Sequence, residues 1–273
     1  ATKLEPRALR FASFVTSVSE RQNEELGFRN PGVDPDLCSA IPIGGDPEDL
    51  RALSRVSSDR VAIDKSVTNI SYIGTFWPAA ELPVRMLLRG LAHLRRTQPE
   101  LSDRVRLNFV GTSNRSYGFD CYAILPLARA EGVEDLVTEQ PERISFMEAL
   151  WCQHEADAIL LYGSTEPHYT ASKIYAALMS GQPFLSLFHA SSSAHEILGS
   201  AGGGIALGFG DELELEGLVD SIAAALERLI SDPDSLGKVD PASYAPFEAS
   251  RIAERYAAIF TQLAEHRAAA DPA

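Results

Sequence analysis

"DAILLYGSTEPHYTASKIYAALMSGQPFLSLF", residues 157 to 188, is the stretch from which the fold follows. It opens on an apolar run that ends at Gly163 and crosses a polar loop. A helically spaced segment follows, closed by Gly181, and a second apolar run starts at Phe184. Two apolar runs joined through one helix read as a βαβ unit. Runs that are apolar throughout, rather than alternating, belong to strands covered on both faces. In the helix, Ile174, Ala177 and Leu178 are three and four apart and face the sheet. The reading starts this helix near Thr170, its cap, and ends it in a left-handed turn at Gly181 before Pro183. Lys173 then lies in the first turn, about 100° around the helix from Ile174. A cation there opposes the helix dipole, and a bound anion reverses that cost. An ion pair with Glu166, or a solvated side chain, is the plainer alternative.

Outward from this unit the same rhythm repeats. Strands are expected at "NISYIGT" (69–75), "RVRLNFVGT", "DLVTE" and "GIALGF". Helices are expected in "ELPVRMLLRGLAHLRR", "YAILPLARAEG", "SFMEALWCQHE", "SSSAHEILGS", "DELELEGLVDSIAAALERLIS" and "FEASRIAERYAAIFTQLAEH". Upstream, "ASFVTSV" reads as a strand. "SERQNEELG" reads as a helix capped by Ser19, with Gln22 completing a capping box and Gly27 ending it. Asp46 and Pro47 open a further helix. The expected fold is α/β: a doubly wound parallel sheet, Rossmann-like, with helices on both faces. The final helix carries Ile252, Tyr256, Ile259, Phe260 and Leu263 at helical spacing, so that face needs cover from residues 1 to 40 or from another copy of the chain.

Composition narrows the function classes. The 273 residues include 45% apolar types, enough for a packed core. Acidic residues outnumber basic ones 38 to 24, a net charge of −14. Such a surface repels duplex nucleic acid and anionic membranes. No apolar stretch approaches the ~20 residues of a membrane span. Cys38, Cys121 and Cys152 are few, odd in number and without metal-ligand spacing, which points to a reducing, cytoplasmic setting. The chain opens on Ala1 rather than Met, and we read it as a piece of a longer protein.

Doubly wound sheets bind ligands outside the carboxyl ends of their strands. Those ends carry "GTFWP", "GTSNRSYGF", "EQPERIS" and "GSTEPHYT". A glycine followed by small hydroxyl residues lets backbone N–H groups approach phosphate oxygens. The candidate substrate-binding residues are therefore Gly74, Thr75, Ser113, Arg115, His168, Tyr169, Thr170 and Ser172. Glu166 and Lys173 are the candidate catalytic pair. His189, after "PFLSLF", is placed near the same cleft. No G-x-G-x-x-G or Walker pattern follows the first strand, and no metal or cofactor is expected.

The order of "ISYIGTFWP", "RLNFVGT", "EADAILLYGSTEPHY", "SKIYAALMSGQPFLS" and "HEIL…GGGIAL" resembles the C-terminal, donor-binding half of the two-domain GT-B glycosyltransferases, specifically the large retaining group. The resemblance extends upstream through "FVTSVSERQNEEL" and "IPIGGDPEDL". It implies that residues 1–43 are the remnant of an otherwise absent N-terminal acceptor domain. It implies that 44–246 bind a nucleotide-diphosphate sugar, and that 247–273 are a crossover helix and tail. It gives Glu166 the task of holding donor sugar hydroxyls. Three positions depart from the family pattern. Ala176 stands where a second carboxylate holds the ribose, and Thr75 and Leu82 stand where cations hold the diphosphate. The implied function is sugar transfer with retention, this half alone being inactive. A degenerate domain that binds a saccharide or partner, and a nucleotide-sugar epimerase or phosphorylase on the same architecture, remain open alternatives. Sugar, base, acceptor and oligomeric state are not written in the sequence.

Overall fold

In a computed structural model of the chain, the described residues are 4–57, 61, 63–113, 122–167 and 171–270. Contacts divide the chain into two units: Ala1–Asp46 with Ala245–Ala273, and Pro47–Tyr244.

In the first unit, β1 (Val15–Ser17) and β2 (Cys38–Ala40) pair in parallel, with the helix Glu20–Arg29 between them. The Ser19 side chain accepts from Gln22 N, and Gln22 Oε1 reaches back to Val18 N at 3.2 Å. Gly27 does not end this helix, contrary to the sequence reading. The helix runs on to Arg29, where the guanidinium pairs with Glu25 one turn earlier and with Glu5. These contacts outweigh the roughly 1 kcal/mol that an interior glycine costs. The helix Ala249–Ala270 joins the N-terminal segment at its start. Gly45 N donates to Phe247 O, Ala249 N donates to Gly45 O, and the Arg255 guanidinium donates to Ala40 O. Its expected apolar stripe is half-buried at Ile252, Tyr256, Ile259 and Leu263, while Phe260 stays 65% exposed.

The second unit holds a sheet of β3 (Thr68–Ile73), β4 (Val105–Val110), β5 (Val137–Gln140), β6 (Ala158–Tyr162), β7 (Phe184–His189) and β8 (Gly204–Phe209). Every pairing is parallel, in the order β5-β4-β3-β6-β7-β8. The helices Glu81–Thr97, Ile124–Ala130 and Val219–Ser231 pack together, and Phe146–Glu155, Lys173–Ser180 and Ser193–Ala201 pack in succession, so helices cover both faces. The doubly wound parallel fold is the one expected.

Three local readings are corrected. The strands are not wholly apolar: Asn69, Ser71 and Asn108 are buried in them. They satisfy one another in a row across the sheet. Asn108 Nδ2 donates to Asn69 Oδ1 (3.1 Å) and Ser71 Oγ (3.3 Å), and Thr138 Oγ1 donates to Asn108 Oδ1 (2.6 Å). The helix expected over "DELELEGLVDSIAAALERLIS" is two, Glu212–Glu216 and Val219–Ser231, parted at Gly217. There Gly217 N turns back to Leu213 O, while the second helix follows its own packing against Glu81–Thr97. The helix after β6 begins at Lys173 rather than near Thr170; Thr170 itself lies outside the described residues. Its C-terminal end is as expected, with Gly181 at φ 73°.

The helices Glu81–Thr97 and Val219–Ser231 meet at Gly90. A Cβ built there lies 2.3 Å from Ile222 Cγ2 and 2.8 Å from Ile222 Cβ. Gly90→Ala gains up to about 1 kcal/mol of helix propensity and incurs overpacking of about 1–3 kcal/mol. Repulsion at the branched Cβ cannot be relieved by a rotamer change, so a net loss of about 1–2 kcal/mol is expected in chemical denaturation. A more stable Gly90→Ala protein contradicts this packing.

Candidate functional site

The strand order sets where a ligand fits. The chain winds outward from β3 to β5, returns to the centre at β6, and winds outward the other way to β8. Connections leave β3 and β6 in opposite directions, and a crevice opens outside their carboxyl ends. The rim on the β3 side stays in register beyond the strands. Gly74 N donates to Val110 O (2.7 Å), Phe76 N to Thr112 O (2.8 Å), Gly111 N to Gln140 O (2.8 Å) and Ser113 N to Pro141 O (3.0 Å). Backbone held this way keeps its position when a ligand arrives.

Lys173 comes to this point from the helix after β6. Its Nζ donates to Tyr72 Oη at 3.1 Å and sits 4.8 Å from the centre of the Tyr72 ring. Tyr72 Oη donates to Thr75 O at 3.0 Å. The Tyr72 ring stacks on Tyr162, with centroids 4.1 Å apart and planes 20° apart. Gly74, at φ 151°, leaves the space in which the ammonium lies: a Cβ there falls 1.6 Å from Lys173 Nζ. Burial alone pushes the Lys173 ammonium down to about 8. The ion pair with Glu166 does not form: Glu166 is exposed, and the bond described for it runs from its N to Ser164 Oγ at 3.2 Å. Among the described residues, therefore, no carboxylate neutralises Lys173. Ser172 precedes the helix without a side-chain cap bond, unlike Ser145 and Ser192 at the starts of two neighbouring helices. A half-buried cation beside an uncapped helix start is suited to an anion.

The structure thus brings Gly74, Thr75 and Lys173 together. Ser113 stands on the same rim, two strands along from β6 and half-buried. Arg115, His168, Tyr169 and Thr170 lie outside the described residues. His189 is engaged in holding its own loop. Nδ1 meets Ser191 N (3.2 Å) and Oγ (2.8 Å), and Nε2 meets Gly210 O (2.9 Å). Leu82, Pro78, Thr165, Glu212 and Arg85 line a cleft of about 280 Å³ at this edge. Arg85 is already bound by Glu81 (2.8 Å) and Glu131 (3.4 Å). No group of three or more His, Cys, Asp or Glu suited to a metal occurs among the described residues, and no helix there is long and apolar enough to cross a membrane.

Sequence reasoning missed two contributions. Tyr72 and Tyr162 sit inside apolar runs and read as core, which their rings are. Their signal is position: each comes one or two residues before a strand-ending glycine. Glu139, at the end of β5, accepts from Ala123 N (3.0 Å), Ile124 N and Leu125 N (both 2.9 Å) and from Thr112 Oγ1 (2.5 Å). It fills the start of the helix Ile124–Ala130 with a protein carboxylate. Nothing local marks it, because these partners are 14 to 27 residues away.

No family model and no curated protein matches the chain by sequence. Solved structures do match by shape. Anabaena Alr3699/HepE, in complex with UDP and glucose, superposes with a TM-score of 0.61 at 16% identity, over 96% of this chain and 68% of that one. Sucrose-phosphate synthase from Thermosynechococcus elongatus gives 0.61 at 19%, over 97% and 62%. The α,α-trehalose-6-phosphate synthase from Burkholderia multivorans gives 0.68 at 10%, over 98% and 62%. The chain therefore spans roughly two thirds of the length of these structures. Identities this low speak for fold alone, and the fold is that of a GT-B glycosyltransferase domain.

Proposed function

We propose that the chain is the donor-binding half of a retaining glycosyltransferase, taking a nucleotide-diphosphate sugar into the crevice between β3 and β6. The observation that carries this reading is the Lys173 ammonium, half-buried at the switch point of the sheet with no carboxylate of the described residues against it. An anion supplies the missing charge, and a donor's diphosphate is the anion that this architecture holds in its relatives' reaction class.

Transfer breaks the bond between the sugar's anomeric carbon and the diphosphate oxygen. Negative charge grows on the leaving diphosphate as it breaks. Lys173 and the helix start meet that charge in a partly water-excluded site, where fixed donors lower the barrier most. At pH 7 a group that titrates near 8 is about ten to one protonated, so the lysine acts as a cation. Glu166, exposed at the same edge, orients the sugar hydroxyls. Ala176 brings no carboxylate, so the ribose is held by other groups. Acceptor binding belongs to an N-terminal domain, of which residues 1–43 are the remnant, with the parallel pair β1 and β2 inside it. Phe11, Phe28 and Ile43 in that segment are 83%, 89% and 63% exposed, which suits a face that continues into a larger domain.

The test is calorimetric titration of the chain at pH 7 with UDP-, GDP- and ADP-sugars, and UDP is the first nucleotide to try. Saturable 1:1 binding of at least one donor is expected, without sugar transfer by this chain alone. Absence of binding across the panel at millimolar concentration removes the proposal.

A further inference from the structure

We infer that Tyr72 is a positioning residue: it holds the Lys173 ammonium over the Gly74 backbone in its charged form, and so sets the pH range in which the crevice takes an anion. Lys173 has a long, flexible stem and could leave its amine in water. Three features of the fold keep it in place instead. Gly74 leaves the space, the Tyr72 ring presents its face at 4.8 Å, and the Tyr72 oxygen lies at 3.1 Å. The hydroxyl proton is committed to Thr75 O at 3.0 Å, so towards Lys173 the oxygen acts as acceptor. The ring cannot turn away, because it is 2% exposed and stacked on Tyr162. An acceptor and a ring face both favour the ammonium over the neutral amine and offset part of its lost hydration. Carboxylates do this more strongly, but they also cancel the charge. A tyrosine leaves the full charge facing the crevice.

Among the described residues, these groups stand around the amine. From β3 the titratable side chain facing it is Tyr72, and behind that stands Tyr162 of β6. Its own helix carries Tyr175, a hydroxyl that burial pushes up to about 12. Among the described residues, burial is the cause that lowers the Lys173 titration. That the anion is a donor diphosphate rests on the function proposed above; the placement of the amine by Tyr72 does not.

The chain has four lysines, Lys3, Lys65, Lys173 and Lys238, so each can be followed separately. The full chain, labelled with ¹³C at the lysine ε carbons, is titrated by NMR from pH 6 to 11, with Lys173→Arg identifying the signal. Lys173 is expected to titrate near 8. Tyr72→Phe keeps the ring and removes the acceptor. Its Lys173 midpoint is expected to fall by a further ~0.5–1 pH unit. UDP affinity in Tyr72→Phe is then reduced at pH 8 and returns towards wild type at pH 6.5, where both proteins are protonated. Tyr162→Phe, which leaves the Tyr72 oxygen in place, keeps the wild-type midpoint. An unchanged midpoint in Tyr72→Phe, an equal drop in Tyr162→Phe, or a UDP deficit that is the same at both pH values overturns the inference. Should UDP bind to neither protein, the donor reading fails, and the lysine midpoints still decide the role of Tyr72.

Discussion

Lys173→Met is expected to make the protein more stable at neutral pH and to weaken its hold on a nucleotide sugar. The two effects share one cause. Burial lowers the ammonium from its ordinary 10.5 to about 8, so at pH 7 the folded protein holds a charge that the unfolded chain hydrates better. A shift of this size corresponds to about 3 kcal/mol, and partial exposure of the side chain reduces the expected gain to about 1–3 kcal/mol. Methionine keeps most of the stem and carries no charge. The sign follows from proton counting. Between pH 8 and 10.5 the unfolded chain binds the proton and the folded chain does not, so wild-type stability rises with pH across that window. The advantage of the variant is therefore full below pH 8 and fades towards pH 10.5. Thermal unfolding at pH 7 and pH 9.5 measures this directly, at about 2–4 °C per kcal/mol for a domain of this size. Donor affinity should fall by about 1–3 kcal/mol, roughly five- to 150-fold, as for a lost charge-assisted contact. A variant that is less stable at pH 7, or a donor that binds it as well as wild type, would leave Lys173 an ordinary surface charge.

Gly74→Ala attacks the same point from the other side of the crevice. At φ 151° the backbone lies outside the range that L side chains adopt readily, a strain of about 1–3 kcal/mol. The added Cβ also falls 1.6 Å from Lys173 Nζ and 2.3 Å from Cε. The lysine is the flexible partner, so it swings out, and the ammonium is lost from the site while the fold survives. We expect a stability loss of about 1–3 kcal/mol from the backbone alone, because expelling a desolvated charge returns some of the steric cost. Donor affinity should fall as far as in Lys173→Met. The double variant should bind no worse than either single one, since both changes remove the same contact. Additive losses in that cycle mean that Gly74 acts on the ligand by its own backbone and not through Lys173.

Much of this arrangement is written along the chain, and the reasons are local. Apolar runs separated by helically spaced segments have no stable outcome other than covered parallel strands, which is why β3 to β8 were legible. Ser19 with Gln22, and Gly181, act within three or four residues of themselves, so this cap and this stop could be read directly. The same local logic failed at Gly27 and Gly217. At the first, distant partners at Glu5 and Glu25 carried the helix through, and at the second, packing against another helix split it.

The site was legible only by halves. Gly74 and Lys173 each looked like ligand-facing residues, one for a strand end and the other for a charge against the helix dipole. Their meeting depended on β6 returning to the centre of the sheet beside β3, a choice made by strand pairing across the whole domain. Tyr72 and Lys173 are 101 residues apart. Residue type and periodicity therefore determined the layers, the strand ends and the sign of the charge placed at them. Tertiary structure decided that the lysine leans on a tyrosine instead of pairing with Glu166, because what stands beside a buried charge depends on the order of the strands and is not encoded within a few residues of it.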